Sequence, residues 1–450
     1  MTATLPPPTP GTSVPRRQRR HRAALIALAM VMAVALVAAI ALHRIDPADP
    51  SAFYDPPADL AAAEPGDVLR AEAFVPAVPG AAAWRVLYRS TDPSGNPIAI
   101  SGVIVAPADT ADGDDRPVVA WAHPTTGVAR SCAPSLLGNP TAAMYGIDTA
   151  IANGWVWAAT DYPGLGTPGP HPYLIGPSEA RAVLDMVRAT TRLSTAGGST
   201  AGGSTAGGSA EGASTEGTAI EGGSTGAGST FAVWGHSQGG QAALWTGIEA
   251  DAYAPELDLI GVAAAAPAIE LTELVTADVD TLGGRLLLSM GLVAWSEVFD
   301  DAPLDTALQP LARPVARGIA ERCIETTAQS LAALPEVATA RVLPFLAIDP
   351  TTTQPWAGIL AGNTPSAPID VPIFVGQGLT DPIIDPASTL RAMQVRCDND
   401  EQVVLTTYPG VGHVAAGKVS APDAMAWIGQ LFAGADPVSN CDDLPAVTGP

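Results

Sequence analysis

The chain has 450 residues with 45 Asp and Glu against 22 Lys and Arg, and the resulting charge of −23 disfavours nucleic acid as a partner. An apolar content of 47% is too high for a disordered chain, and the length allows a full-sized core in one or two domains. The charge is unevenly placed: Arg16, Arg17, Arg19, Arg20 and Arg22 precede the first acidic residue, Asp46, and beyond residue 41 the remaining 17 basic residues face all 45 acidic ones, a balance of −28.

Directly after the arginines, Ala23 to Leu42 form an uninterrupted apolar run of 20 residues. A basic stretch followed by an apolar one is the layout of an export signal, and Ala39-Ile40-Ala41 offers an A-x-A cleavage site. The run is also long enough to span a bilayer, so residues 1–45 read as a signal peptide or a membrane anchor, with attachment through residues 23–42 in the second case. Either way the rest of the chain is expected outside the cytoplasm, secreted or held at the cell envelope. Cys132, Cys323, Cys397 and Cys441 all lie beyond this run and form no C-x-x-C pair, so two disulfides are expected rather than zinc or redox chemistry. Spacing leaves all three connectivities open.

Residues 46–63 are rich in Pro, Ala and Asp and read as a disordered, exposed lead-in to a domain over 64–450. Short β-rich runs follow at Trp84 to Arg89, Ile98 to Val105, Val118 to Ala122, Trp155 to Thr160, Phe231 to Trp234, Leu259 to Ala265, Ile373 to Val375 and Val403 to Tyr408. Between the later ones, Ser178 to Leu193 has Ala180, Val183, Leu184 and Val187 at helical spacing, and helical patterns also follow Gln238, Pro386 and Pro422. Strands alternating with helices predict a mostly parallel sheet covered on both faces, preceded by an antiparallel pair. Two segments break the alternation. Residues 194–230 repeat Ser-Thr-Ala-Gly-Gly and lack the apolar side chains to join a core, so they read as a flexible surface insertion. Residues 270–346 are helical in pattern and strongly apolar around Leu286-Leu287-Leu288 and Gly291 to Trp295. Some 75 residues between two sheet strands far exceed an ordinary connection of roughly 2 to 6, so they read as a cap over the sheet.

Gly235-His236-Ser237-Gln238-Gly239 matches G-x-S-x-G, the tight strand-to-helix turn that lifts a serine above a sheet. Gly222-Gly223-Ser224-Thr225-Gly226 matches the same pattern, but it lies in the repeat with no strand before it. Ser237 follows the apolar Phe231 to Trp234 and precedes a helical run, which makes it the candidate nucleophile. A serine hydroxyl needs a histidine to take its proton and a carboxylate to orient that histidine, and in this kind of turn the order along the chain is Ser, acid, His. Only one histidine follows Ser237, namely His413 in the Gly-rich stretch after the last strand. Asp381 follows the strand Ile373 to Val375 and is the candidate acid, with Asp385 as its rival farther from the strand end. The oxyanion of a tetrahedral intermediate would rest on the backbone N–H of Gln238 and on that of Thr125 or Thr126, in the loop after Val118 to Ala122.

Several motifs in order resemble those of the secretory lipases of the lipase A type, within the α/β-hydrolases. They are Ala122 to Gly127, Cys132 to Ser135, Asp161 to Gly166 with His171-Pro172-Tyr173-Leu174, and Gly235 to Gly240, and the resemblance spans about residues 65 to 435. It implies an α/β-hydrolase core with an inserted helical cap, acting on triacylglycerols or simpler esters, and the pairing of Cys132 with Cys323 and of Cys397 with Cys441. The repeat at 194–230 departs from the usual pattern. The reading is an exported, monomeric serine lipase or esterase of lipid or small ester substrates, with no metal or cofactor. Its rivals are an acyltransferase using the same triad and a catalytically inactive, surface-tethered binding protein.

Overall fold

Among the described residues the eight β-rich runs and one further strand, β1, form one nine-stranded sheet: β1 (Val68–Phe74), β2 (Ala81–Thr91), β3 (Pro97–Pro107), β4 (Arg116–Ala122), β5 (Val156–Thr160), β6 (Ala227–His236), β7 (Asp258–Ala265), β8 (Ile373–Gly378) and β9 (Val403–Tyr408). The structure, a computed structural model, describes residues 49–111, 113–196 and 224–445. The expected signal or anchor, residues 1–45, and residues 197–223 of the expected insertion lie outside the described residues. The helices are α1 (Ile147–Ala152), α2 (Gly176–Ala196), α3 (Gln238–Tyr253), α4 (Leu271–Asp278), α5 (Leu282–Val298), α6 (Leu304–Ala307), α7 (Ala312–Ala320), α8 (Thr327–Val342), α9 (Trp356–Gly362), α10 (Pro386–Asp398) and α11 (His413–Phe432).

The strands lie in the order β1-β2-β3-β5-β4-β6-β7-β8-β9. From β5 through β9 every pairing is parallel, and β1, β2, β3 and β5 pair antiparallel, so the antiparallel part is larger than a single pair. The extra strand, β1, carries Arg70 and Glu72 on a half-exposed edge, and that weakens its apolar alternation. Successive residues of a strand face opposite sides, and the sheet buries both. Val118, Ala120 and Val233 join one core with Val183, Leu184 and Leu244 from α2 and α3, while Trp121, Trp157 and Trp234 join the other with Ile147 of α1 and Trp427 of α11. This is the α/β-hydrolase arrangement.

A third apolar core belongs to the helices between β7 and β8, where Leu288, Met290, Leu292 and Trp295 of α5 meet Leu304, Ile319, Val337 and Trp356. Helices in this segment run on to Gly362, past residue 346, because α9 buries Trp356 and Leu360 in the same core. Cys132–Cys323 and Cys397–Cys441 are the two disulfides. The lead-in is docked rather than free where it is described: Tyr54 is buried and its hydroxyl lies 2.9 Å from Ser135 Oγ. Among the described residues no helix is long and apolar enough to cross a membrane.

Candidate active site

Parallel strands end side by side, so side chains just past the ends of β4, β6, β8 and β9 converge. Ser237 sits between β6 and α3 with φ 58° and ψ −116°, a left-handed φ that a serine adopts only when its surroundings impose it. Its surroundings do so through two glycines. A Cβ on Gly235 would fall on the backbone oxygen of Gly239, and one on Gly239 would fall on that of Ala122. Ser237 N–H donates to Ala265 O over 2.9 Å, tying the turn to the end of β7.

His413 Nε2 lies 2.8 Å from Ser237 Oγ, and His413 Nδ1 lies 2.8 Å from Asp381 Oδ2. All three residues are buried. His413 is the first residue of α11 rather than part of a loop; the helix expected to start at Pro422 begins nine residues earlier and carries that proline in its interior. Burial pushes the Asp381 carboxyl up, but the bond to His413 and the 2.9 Å bonds that Oδ1 accepts from the N–H groups of Ile383 and Ile384 outweigh it and hold the group below the usual aspartate range. Asp385, the rival, caps α10 by accepting from Ala387 N–H at 3.1 Å. His236, beside the serine, is driven down to about 3 by burial and by nearby His413 and stays neutral; its Nε2–H donates to His413 O at 3.0 Å, which holds the backbone of α11 at the site.

Gln238 N–H opens α3 and so has no acceptor within its own helix. Thr125 and Thr126 face the cavity that Ser237 lines; Thr125 Oγ1 is 2.9 Å from Tyr173 OH, and Thr126 Oγ1 is buried without a partner. Thr126 O accepts from Ile324 N–H at 2.8 Å, so this loop is bound to the helical insertion. Cys132–Cys323 joins the same two segments covalently. Closing a loop of 191 residues, it is expected to contribute about 2–5 kcal/mol, so the double variant Cys132→Ser, Cys323→Ser should show that loss in a denaturant titration of the folded protein. The Asp161 motif is structural: its carboxylate accepts from Ser101 Oγ at 2.6 Å, from Ser135 N–H at 2.9 Å and from Ser135 Oγ.

Two cavities meet at Ser237. One of 390 Å³ is bounded by Pro124, Thr126, Leu286, Ile324, Glu325 and Val414. Burial, aided by Asp161, pushes the Glu325 carboxyl there up to about 8. The other, 70 Å³, is a narrow apolar slot between α4 and α5, formed by Leu271, Leu274, Val275, Leu287, Leu288 and Gly291. Ser224, the second serine in a G-x-S-x-G match, lies before β6 at the opposite end of that strand, where its Oγ accepts from Gly226 N–H at 3.3 Å. Among the described residues no cluster of His, Cys, Asp and Glu could hold a metal ion.

Residues 220–440 match the model of the family described as secretory lipase. Over this part the chain resembles the secretory lipases. It is 25% identical over 436 residues to Lipase 2 of Candida albicans, covering 90% of this chain and 86% of that one. It is 26% identical over 409 residues to a Mycobacterium tuberculosis protein called probable inactive lipase MT1628, covering 85% and 82%. The fold matches Candida antarctica lipase A in its closed state with a TM-score of 0.68 at 20% identity, over 90% of this chain and 91% of that one. Of three buried groups beside the serine, His171 enters the sequence reading only as part of a motif, and Glu179 and the side chain of Gln238 are given no role there. The one available signal, an acidic residue in the first turn of α2, is weak because the same helix also carries Arg181, Asp185, Arg188 and Arg192.

Proposed function

We propose that this protein is an exported serine esterase or lipase of the secretory lipase kind, in which Ser237 is the nucleophile, His413 the base and Asp381 the orienting acid. What supports the reading most is His413 standing at 2.8 Å from both Ser237 Oγ and Asp381 Oδ2. Ser237 Oγ attacks the ester carbonyl carbon while His413 Nε2 takes its proton. The oxyanion rests on Gln238 N–H and on the N–H of Thr125 or Thr126. Collapse breaks the bond to the alcohol oxygen, which leaves with the proton from His413. Water, deprotonated by the same nitrogen, then attacks the acyl-serine; the bond to Ser237 Oγ breaks, that oxygen takes the proton back from His413, and the carboxylic acid leaves. Asp381 stays ionised throughout and holds Nδ1–H. An export signal followed by two disulfides supports a site of action outside the cytoplasm.

The two cavities divide the substrate. The apolar slot between α4 and α5 takes the acyl chain, and the larger cavity takes the alcohol portion of a triacylglycerol or simpler ester. Val275→Phe adds a ring within the slot and is expected to lower kcat/KM for long-chain esters at least tenfold while changing butyrate esters little, a difference on the order of 1.4 kcal/mol. Steady-state kinetics on a graded ester series reads this.

The reading is tested with a serine-directed fluorophosphonate. It is expected to label Ser237 alone, as mapped by peptide mass spectrometry. No label at Ser237 would favour the inactive binding protein, a reading that similarity to a relative called probable inactive keeps relevant.

A further inference from the structure

The side-chain amide of Gln238 is held at both of its N–H bonds. One donates to Glu179 Oε1 at 2.7 Å and the other to His171 Nε2 at 3.3 Å. His171 is set to accept because its Nδ1–H donates to Pro163 O at 2.8 Å, and burial drives this ring down to about 3, keeping it neutral. Glu179 Oε1 also accepts from Leu174 N–H at 2.9 Å. Gln238, Glu179 and His171 are all buried. Three separate segments, the Asp161 to His171 loop, the start of α2 and the start of α3, are thus joined at the residue whose backbone N–H follows the nucleophile.

We propose that Glu179 is a positioning residue which, through the Gln238 side chain, fixes the Gln238 backbone N–H where the oxyanion forms. The proposal rests on Ser237 being the nucleophile. A donor of this kind acts only if it is already aimed when charge develops, and Gln238 stands at a helix end where the backbone is least constrained by its own helix. Clamping the side chain removes that freedom.

Glu179 does this as a neutral acid. The groups shown to act on it are Gln238, Leu174 N–H, Tyr162 and Tyr173, and none brings a positive charge. Burial without a cation pushes its carboxyl up to about 8, and among the described residues no donor reaches Oε2 to stabilise a charge there. Ionisation would leave a negative charge in a dry site beside the developing oxyanion, which weakens catalysis. Activity should therefore fall as pH rises through about 8.

The test is kcat and KM for a water-soluble short-chain ester between roughly pH 6 and 10, in wild type, Glu179→Gln, Glu179→Ala, Gln238→Ala and the double alanine variant. Glu179→Ala is expected to lower kcat about 10- to 100-fold with KM changed less than about threefold, somewhat less than losing the donor outright. Glutamine keeps the acceptor without an ionisable proton, so Glu179→Gln should rescue kcat and lack the alkaline fall near pH 8. The double variant should be no slower than the slower single one, since both break the same link. Unchanged kcat in Glu179→Ala, the same alkaline fall in Glu179→Gln, or additive losses in the double variant would overturn the proposal. Because Glu179→Gln preserves size and neutrality, its profile decides the matter even if the alanine variant fails to fold. Full activity in Ser237→Ala would instead bring down the nucleophile assignment beneath it.

Discussion

Ser237→Ala is expected to abolish ester hydrolysis, lowering kcat by about 10⁶. The reason lies in what His413 Nε2 can reach: Ser237 Oγ is the hydroxyl it meets, at 2.8 Å. Without that oxygen the ring still pairs with Asp381, and the oxyanion donors still line the cavity, so a residual acceleration of about 10³–10⁴ over water remains from binding and oxyanion stabilisation. The fold should survive. An alanine at this position would bear a similar penalty for the positive φ, and the bond from the Ser237 N–H to Ala265 O, which holds the turn, is a backbone bond that the change leaves in place. Initial rates on p-nitrophenyl butyrate and on emulsified triacylglycerol, with a melting curve as control, provide the measurement. A folded variant retaining more than about a tenth of wild-type kcat would sink the assignment of Ser237, since a lost nucleophile cannot leave that much activity.

The elbow is legible in the sequence because its constraint is local: an apolar strand, two glycines that exclude a Cβ, and a helix start within about a dozen residues. His413 is legible by elimination. Its setting is not, because Gly410 and Gly412 before it read as a continuing loop, and Pro422 reads as a helix start although α11 accommodates it. Strand β1 escapes a reading by pattern because an edge strand buries only part of one face and has no need of strict alternation. The reach of the insertion to Gly362 depends on Trp356 packing against a core assembled from helices far apart in the chain, which no window of sequence displays. The same holds for Glu179. Its two acceptor bonds come from Leu174, five residues before it, and from Gln238, 59 residues after it, so only the folded chain shows why an acid is buried there.

Asp381→Asn and Asp385→Asn separate the two acids that the sequence offers. Asp381 Oδ2 accepts the Nδ1 proton of His413 at 2.8 Å, and Oδ1 is already committed to Ile383 N–H and Ile384 N–H at 2.9 Å each. Those two backbone donors force an asparagine there to place its oxygen toward them and its NH₂ toward His413. The imidazole must then accept at Nδ1 and carry its proton on Nε2, the nitrogen that has to take the proton of Ser237 Oγ. The tautomer is wrong for catalysis, and kcat is expected to fall about 10⁴-fold with little change in KM. Stability should change with pH in the same direction as the carboxylate's depressed titration predicts. In wild type the Asp381 contribution is fully present above the ordinary aspartate range and is lost as pH falls through the lower folded value, and Asp381→Asn removes that acid-side dependence. Asp385 carries none of this: its side chain accepts from Ala387 N–H at 3.1 Å as the cap of α10, and asparagine caps a helix about as well as aspartate. Asp385→Asn should keep wild-type kcat and pH dependence. Should Asp385→Asn lose more activity than Asp381→Asn, the orienting acid would have to be reassigned, and the 2.8 Å contact between Asp381 and His413 would be structural only.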